Sequence, residues 1–132
     1  MDTALKVLVV DDDYVSNIIT KTNIDRKLQN TEVITFENSK LALQYILDTL
    51  HNVANTPILI LLDLYMPVVT GWDILDAIKS SHNLSKLVTL YVLTSSLSEA
   101  DEAQAMGYDF VSGFISKPFH IESIQEYLNK QA

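Results

Sequence analysis

Five short runs rich in Val, Ile and Leu, at positions 5–10, 32–36, 58–62, 87–93 and 113–116, alternate along the chain with stretches of helical spacing. That alternation restricts the fold more than any other feature. Continuous apolar runs of this length suit strands buried on both faces, which occur in parallel sheets. Parallel neighbours need crossover connections, and the amphipathic stretches between the runs supply them as helices. Right-handed crossovers place those helices on both faces, so the pattern predicts an α/β fold, a doubly wound (βα)5 three-layer αβα sandwich.

The intervening segments carry helix punctuation. Asp13 is placed to cap a first helix in which Val15, Ile18, Ile19 and Thr22 recur at helical spacing. Asn38-Ser39 offers cap chemistry for a helix with Leu41, Ala42, Tyr45 and Ile46. Gly71 opens a helix with Ile74, Leu75 and Ile78 inward, and Trp72 is expected to pack there. Ser98 with Asp101 reads as a capping box for a helix that stops near Gly107. Ile121, Ile124 and Leu128 give the last helix an apolar stripe.

The length of 132 residues and the unbroken alternation indicate one domain over residues 1–132. The absence of Cys excludes a disulfide framework, a Cys-based zinc site and a thiol nucleophile, and fits a reducing compartment. The formal net charge of −8 argues against direct nucleic-acid binding and against binding anionic membranes. Beyond Leu87 the only Lys or Arg residues are Lys117 and Lys130. No apolar run approaches the roughly 20 residues of a membrane span, and the N-terminus lacks signal-peptide organisation. The predicted location is cytoplasmic, without membrane insertion.

In an open parallel sheet, sites form beyond the carboxyl ends of the strands. Four of the five runs end in a residue that can do chemistry: Asp11 and Asp12, Asp63, Thr94, and Lys117. Three carboxylates on one edge repel unless a cation sits among them, and Lys117 and a divalent metal are the two candidates. Oxygen-only ligands suit Mg²⁺. A carboxylate beside Mg²⁺ and Lys can attack phosphorus to give an acyl phosphate, with Thr94 donating to a phosphoryl oxygen. Each residue alone has an ordinary structural explanation. Their joint placement, each at the proper end of its own strand, points to the site. His51, His82 and His120 lie near expected helix ends without metal-like spacing.

Those residues carry a resemblance. Val9-Val10-Asp11-Asp12, Leu62-Asp63-Leu64-Tyr65-Met66-Pro67 with Gly71-Trp72-Asp73, Val92-Leu93-Thr94-Ser95 and Ile115-Ser116-Lys117-Pro118-Phe119 resemble the motifs of two-component response-regulator receiver domains. The similarity runs from about Lys6 to Leu128. It implies a flavodoxin-like strand order 2-1-3-4-5. It further implies Asp63 as phosphoacceptor, served by a sensor histidine kinase or phosphotransfer protein. Mg²⁺ would be held by Asp12, Asp63 and the Tyr65 backbone carbonyl, with Asp11 acting through water. Thr94 and Lys117 would hold the phosphoryl group, Phe114 would be the aromatic partner of the switch, and Lys117-Pro118 would be cis. The chain would be a signalling protein, not an enzyme, with at most weak self-dephosphorylation.

Three features depart from the family pattern. Tyr65 is bulky where a small polar residue is common, and is expected to exclude water from the acceptor. Phe114 lacks a Tyr hydroxyl, and the segment 106–114 has an unusual sequence. Fifteen residues follow Lys117, room for one helix and no DNA-binding domain, so output is expected through a downstream protein target, through onward transfer of the phosphoryl group, or through action as a phosphoryl sink. Two other functions fit parts of the sequence. Asp11-x-Asp13-x-Val15 also resembles the nucleophile motif of haloacid-dehalogenase-like phosphatases, whose acidic metal pair would fall on Glu122 and Glu126. A receiver-like binding module without phosphorylation is the third.

Overall fold

The computed structural model describes residues 5–48, 57–96 and 98–131, so His51 lies outside the described residues, as do the side chains of 82–84. The chain runs β1 (Leu5–Val10), α1 (Tyr14–Lys27), β2 (Thr31–Phe36), α2 (Ser39–Asp48), β3 (Ile58–Asp63), α3 (Gly71–Lys79), α4 (His82–Leu87), β4 (Val88–Thr94), α5 (Glu99–Ala105), β5 (Val111–Ser116), a 3₁₀ turn (Ile121–Ile124) and α6 (Gln125–Gln131). All strand pairings are parallel and the order is β2-β1-β3-β4-β5, the predicted flavodoxin-like topology.

Alternation along the strands builds two cores, because successive side chains point to opposite faces. Leu8, Val10, Ile60, Leu62, Leu90 and Val92 pack with Ala42 and Ile46 of α2 and Ile74, Leu75 and Ile78 of α3. Val7, Val9, Leu59, Leu61, Leu93 and Ile115 pack on the other face with Ile24 of α1 and Ile124 and Tyr127 from the C-terminal segment. β3 runs through the middle, and its five residues from Ile58 to Leu62 have no exposed surface. Each such side chain contributes about 1.5–3 kcal/mol of burial. The strand that carries Asp63 is therefore the most firmly placed element of the sheet.

Several sequence expectations change. The stripe of Val15, Ile18, Ile19 and Thr22 in α1 faces outward, with Val15 60%, Ile18 45% and Ile19 38% exposed. Asn17, Thr20 and Ile24 face inward instead. The reason is hydrogen bonding: the Asn17 amide donates to the carbonyls of Asp11 at 2.8 Å and Phe36 at 3.3 Å. Buried strand-end carbonyls need donors, and that need outweighs the apolar pattern. Leu41 is likewise exposed, while Ser39, Ala42 and Ile46 form the inner face of α2. β4 begins at Val88, because residues 82–87 form α4. β5 begins at Val111, and its pairing with β4 shifts register at Leu90/Tyr91. The last helix opens as a 3₁₀ turn.

The caps hold with one exchange. Asp13 accepts from the amides of Val15 and Ser16, and Asn38 Oδ1 accepts from the amide of Leu41. The reciprocal capping box lies at Thr70 and Asp73. At α5, Ser98 Oγ accepts from the Asp101 amide, but the Asp101 carboxylate is bonded elsewhere.

The β3–α3 connection folds back tightly. The Gly71 amide donates to the Leu64 carbonyl at 2.9 Å, and a Cβ on Gly71 would sit 2.5 Å from both the Asp63 carbonyl oxygen and the Leu64 Cα. Only glycine lets α3 start this close to the backbone of the strand-end aspartate. In the same connection Val68 adopts φ 68° with 88% of its surface exposed. A β-branched residue in the left-handed region is strained, and asparagine tolerates that region. Val68→Asn should therefore raise stability by about 1 kcal/mol, a gain of about 3 °C in thermal midpoint for a domain of this size. Calorimetry of the variant checks this, and an unchanged or lower midpoint contradicts it.

Candidate functional site

Parallel pairing brings the strand ends together. Val10 pairs with Leu62, Asp63 with Leu93, and Thr94 with Ser116, so Asp11, Asp12, Asp63, Thr94 and Lys117 share one edge. Two backbone bonds fix the rim: the Asp11 amide donates to the Phe36 carbonyl at 3.0 Å, and the Lys117 amide to the Thr94 carbonyl at 2.9 Å. The Lys117-Pro118 peptide is cis, as the sequence resemblance implied.

Asp11 is wholly buried and both its carboxylate oxygens are engaged. Oδ1 accepts from the Asp13 amide at 3.0 Å, and Oδ2 sits 2.7 Å from Lys117 Nζ. Lys117 Nζ also lies 3.5 Å from Asp63 Oδ2, and Asp63 Oδ1 accepts from the Tyr65 amide at 3.0 Å. The ammonium thus stands between two carboxylates. Its pKa lies above the ordinary lysine value: burial pulls it down, but hydrogen bonding and attraction to Asp11 and Asp63 outweigh that.

Carboxylate oxygens of Asp11, Asp12 and Asp63 lie within 4.8 Å of one another, the only such acidic, Cys or His cluster among the described residues. The donor set is all oxygen, which fits a hard divalent cation such as Mg²⁺. Asp12 is exposed and Asp63 half-buried, so both have carboxylate oxygen to offer, whereas Asp11 is wholly buried, with Oδ1 bonded to the Asp13 amide and Oδ2 ion-paired to Lys117. Glu122 and Glu126 are exposed and stand outside the cluster, so the acidic pair needed by a haloacid-dehalogenase-like site is not assembled. His120 is exposed and also stands outside it.

Thr94 and Phe114 are placed differently from the acids. The Thr94 hydroxyl donates to the Ser96 carbonyl at 2.5 Å and accepts from the Ser96 amide at 3.1 Å. Phe114 is partly buried and packs against the core that includes α2 and α3. Tyr65 is 61% exposed, and its phenol hydroxyl donates to the Asp101 carboxylate in α5. That bond raises the phenol's pKa above the ordinary tyrosine value. Trp72 is partly buried against the α2–α3 core, as expected. Two contributors were absent from the sequence reading. Asn17 sits four residues after the Asp13 cap, a spacing that puts it on the same side of α1 and could have been noticed. The Tyr65–Asp101 contact spans 36 residues and has no sequence signal.

Asp63 has a pKa above the ordinary carboxylate value of 3.8. Burial is the main cause, and Asp11 and Asp12 add repulsion, against the Tyr65 amide and Lys117, which favour the charged form. The folded protein therefore binds a proton at Asp63 more tightly than the unfolded chain does. Stability from this group is present at low pH and is lost as pH rises from 3.8 through the raised folded value. Metal-free Asp63→Asn should accordingly melt higher than wild type at pH 7, with the difference shrinking toward pH 3. A lower midpoint at pH 7, or a gap independent of pH, would contradict this account of the site.

The sequence of residues 7–129 matches the family model of the response regulator receiver domain. The two-component response regulator ARR17 of Arabidopsis thaliana is 29% identical over 136 residues, covering 96% of this chain and 84% of that protein. Among solved structures, a two-component response regulator from Cytophaga hutchinsonii superposes with a TM-score of 0.84 at 27% identity, covering 98% of this chain and 97% of that one. The chemotaxis protein CheY4 of Vibrio cholerae superposes with a TM-score of 0.72 at 25% identity, covering 96% and 98%. With its strand order, its acidic edge and its sequence in agreement, the chain belongs to the response-regulator receiver domain family.

Proposed function

We propose that this receiver domain accepts a phosphoryl group on Asp63 from the phosphohistidine of a sensor histidine kinase or phosphotransfer protein, and thereby switches a surface read by a downstream protein. The observation that carries the reading is the position of Lys117. Its ammonium is paired with the buried Asp11 at 2.7 Å and left 3.5 Å from the half-buried Asp63. Lys117 can then meet incoming phosphoryl charge without releasing Asp11.

In the transfer, an Asp63 carboxylate oxygen forms a bond to phosphorus while the P–N bond breaks. The electron pair stays on the donor imidazole, which takes up a proton. Asp12, Asp63 and the Tyr65 carbonyl would hold Mg²⁺, with Asp11 reaching it through water. When bound, the ion supplies positive charge that offsets the crowded carboxylates and the transferring group. Lys117 adds its own charge, and the Tyr65 amide orients the Asp63 carboxylate. A Thr94 hydroxyl released from Ser96 would donate to a phosphoryl oxygen, and Phe114 would repack as that end of β4 moves.

The exposed stripe of α1 supports a protein donor. Val15 and Ile19 border a cleft of about 320 Å³ that also reaches Ser95, Lys117 and Pro118. An apolar patch beside Lys117 suits protein docking more than a small substrate. The net charge of −8 disfavours nucleic acid as the direct target. No helix among the described residues is long and apolar enough to cross a membrane. On this reading the chain acts in the cytoplasm as a signalling protein, and turnover of its aspartyl phosphate is no more than slow self-dephosphorylation.

Incubation with acetyl phosphate and Mg²⁺, followed by intact-mass and peptide analysis, should show one added phosphoryl group on Asp63. Asp63→Asn should abolish it, and labelling of that variant at the wild-type rate would overturn the assignment. Mg²⁺ at ten times its dissociation constant should also stabilise the fold by about 1.4 kcal/mol. Asp12→Ala should lose most of that gain, and an equal response in variant and wild type would place the metal elsewhere.

A further inference from the structure

Tyr65 brings more than a backbone carbonyl to the rim of the site. Its phenol hydroxyl donates to Asp101 in the first turn of α5. Asp101 is held independently by its own amide, which donates to Ser98 Oγ at 3.1 Å. Tyr65 belongs to the connection after β3, which carries Asp63, and Asp101 to the helix after β4, which carries Thr94. One side-chain hydrogen bond therefore ties the two strand ends together on the outside of the sheet edge.

The Thr94 hydroxyl has a single proton to give. In this arrangement it goes to the Ser96 carbonyl, while the Ser96 amide returns a bond to the same oxygen. Thr94 can donate to an oxygen on Asp63 only after its proton leaves the Ser96 carbonyl, which strips the turn of one of its two bonds to Thr94. Asp101 follows Ser96 by only five residues, so little chain separates a change at Ser96 from the first turn of α5. The β3–α3 side cannot follow freely: Gly71 packs against the backbone of Asp63 and Leu64, and Thr70 and Asp73 close a capping box.

We propose that the Tyr65–Asp101 hydrogen bond is a latch that holds the Thr94 hydroxyl on Ser96 and so opposes retention of a phosphoryl group at Asp63. The inference rests on Asp63 as the phosphoacceptor and adds Tyr65 and Asp101 as positioning residues. Coupling of this kind is reciprocal. A phosphoryl group that draws the Thr94 hydroxyl away from Ser96 weakens the latch to the same degree. The Tyr65 ring and the acidic turn of α5 are then released, and both lie on the exposed surface.

The test uses the full chain with Mg²⁺ and beryllium fluoride as a phosphoryl mimic. Tyr65→Phe keeps the ring and removes only the hydroxyl, and Asp101→Ala removes the acceptor. Each should bind beryllium fluoride about 3- to 10-fold more tightly, the range for one charge-assisted hydrogen bond near solvent. The double variant should gain no more than either single variant, because both remove the same bond. That cycle also subtracts the helix-terminus charge lost in Asp101→Ala. Without any mimic, the Ser96 and Asp101 amides should exchange with solvent about 3- to 10-fold faster in Tyr65→Phe. Unchanged exchange at Ser96, unchanged affinity, or fully additive effects would overturn the latch. Failure of the wild type to bind the mimic would instead overturn the phosphoacceptor reading, and the coupling to phosphoryl with it. Amide exchange would then still decide whether the tether exists.

Discussion

Asp11 has no exposed surface, and its charge is tolerated in the interior because Lys117 stands 2.7 Å away and the Asp13 amide satisfies its other oxygen. The rest of the site depends on that pair. A buried ion pair adds little net stability, but losing one partner leaves an uncompensated charge that costs about 3–5 kcal/mol. The pair therefore acts as a fixed point. It draws the start of the segment after β5 toward the end of β1, across two intervening strands, and leaves the ammonium in reach of Asp63. The backbone repeats the constraint, since the Lys117 amide is bonded to the Thr94 carbonyl.

Rigidity and freedom are distributed unevenly around that point. β3 is sealed on both faces, and Gly71 lets α3 close onto the backbone of Asp63 and Leu64. The Asp63 carboxylate is thus carried by the least deformable part of the sheet. Thr94 is held by contrast in a short turn with Ser96, and the far side of that turn is fastened by polar contacts rather than by packing. Polar contacts exposed to water exchange partners at small cost, while a packed core does not. Asp63 sits on the rigid side and Thr94 on the more deformable one.

α1 shows how a polar requirement redirects an apolar pattern. Its inward face carries Asn17 and Thr20, and its outward face carries Val15, Ile18 and Ile19. The Asn17 amide serves the carbonyls of Asp11 and Phe36, so the residue that orders the ends of β1 and β2 must point in. The consequence is an apolar strip on the surface next to the Lys117 cleft.

Much of this was legible in the sequence. Apolar runs ending in Asp11, Asp63, Thr94 and Lys117 specify strands and their chemistry together, because strand burial and strand termination are local properties of the chain. The five-strand parallel fold and the residues of the acidic edge followed from them, and the order 2-1-3-4-5 from the family motifs. What the sequence left open depends on groups far apart in the chain. The facing of α1 was decided by two carbonyls that must find a donor, one of them 19 residues away. The ion pairing of the buried Asp11 was decided by a lysine 106 residues further on. The tie between Tyr65 and Asp101 joins two side chains with no shared pattern or period. Hydrophobic periodicity reports which surface a segment can bury. Which hydrogen bonds a buried or rim-placed polar group makes is settled only when tertiary structure brings its partners within 3 Å or so.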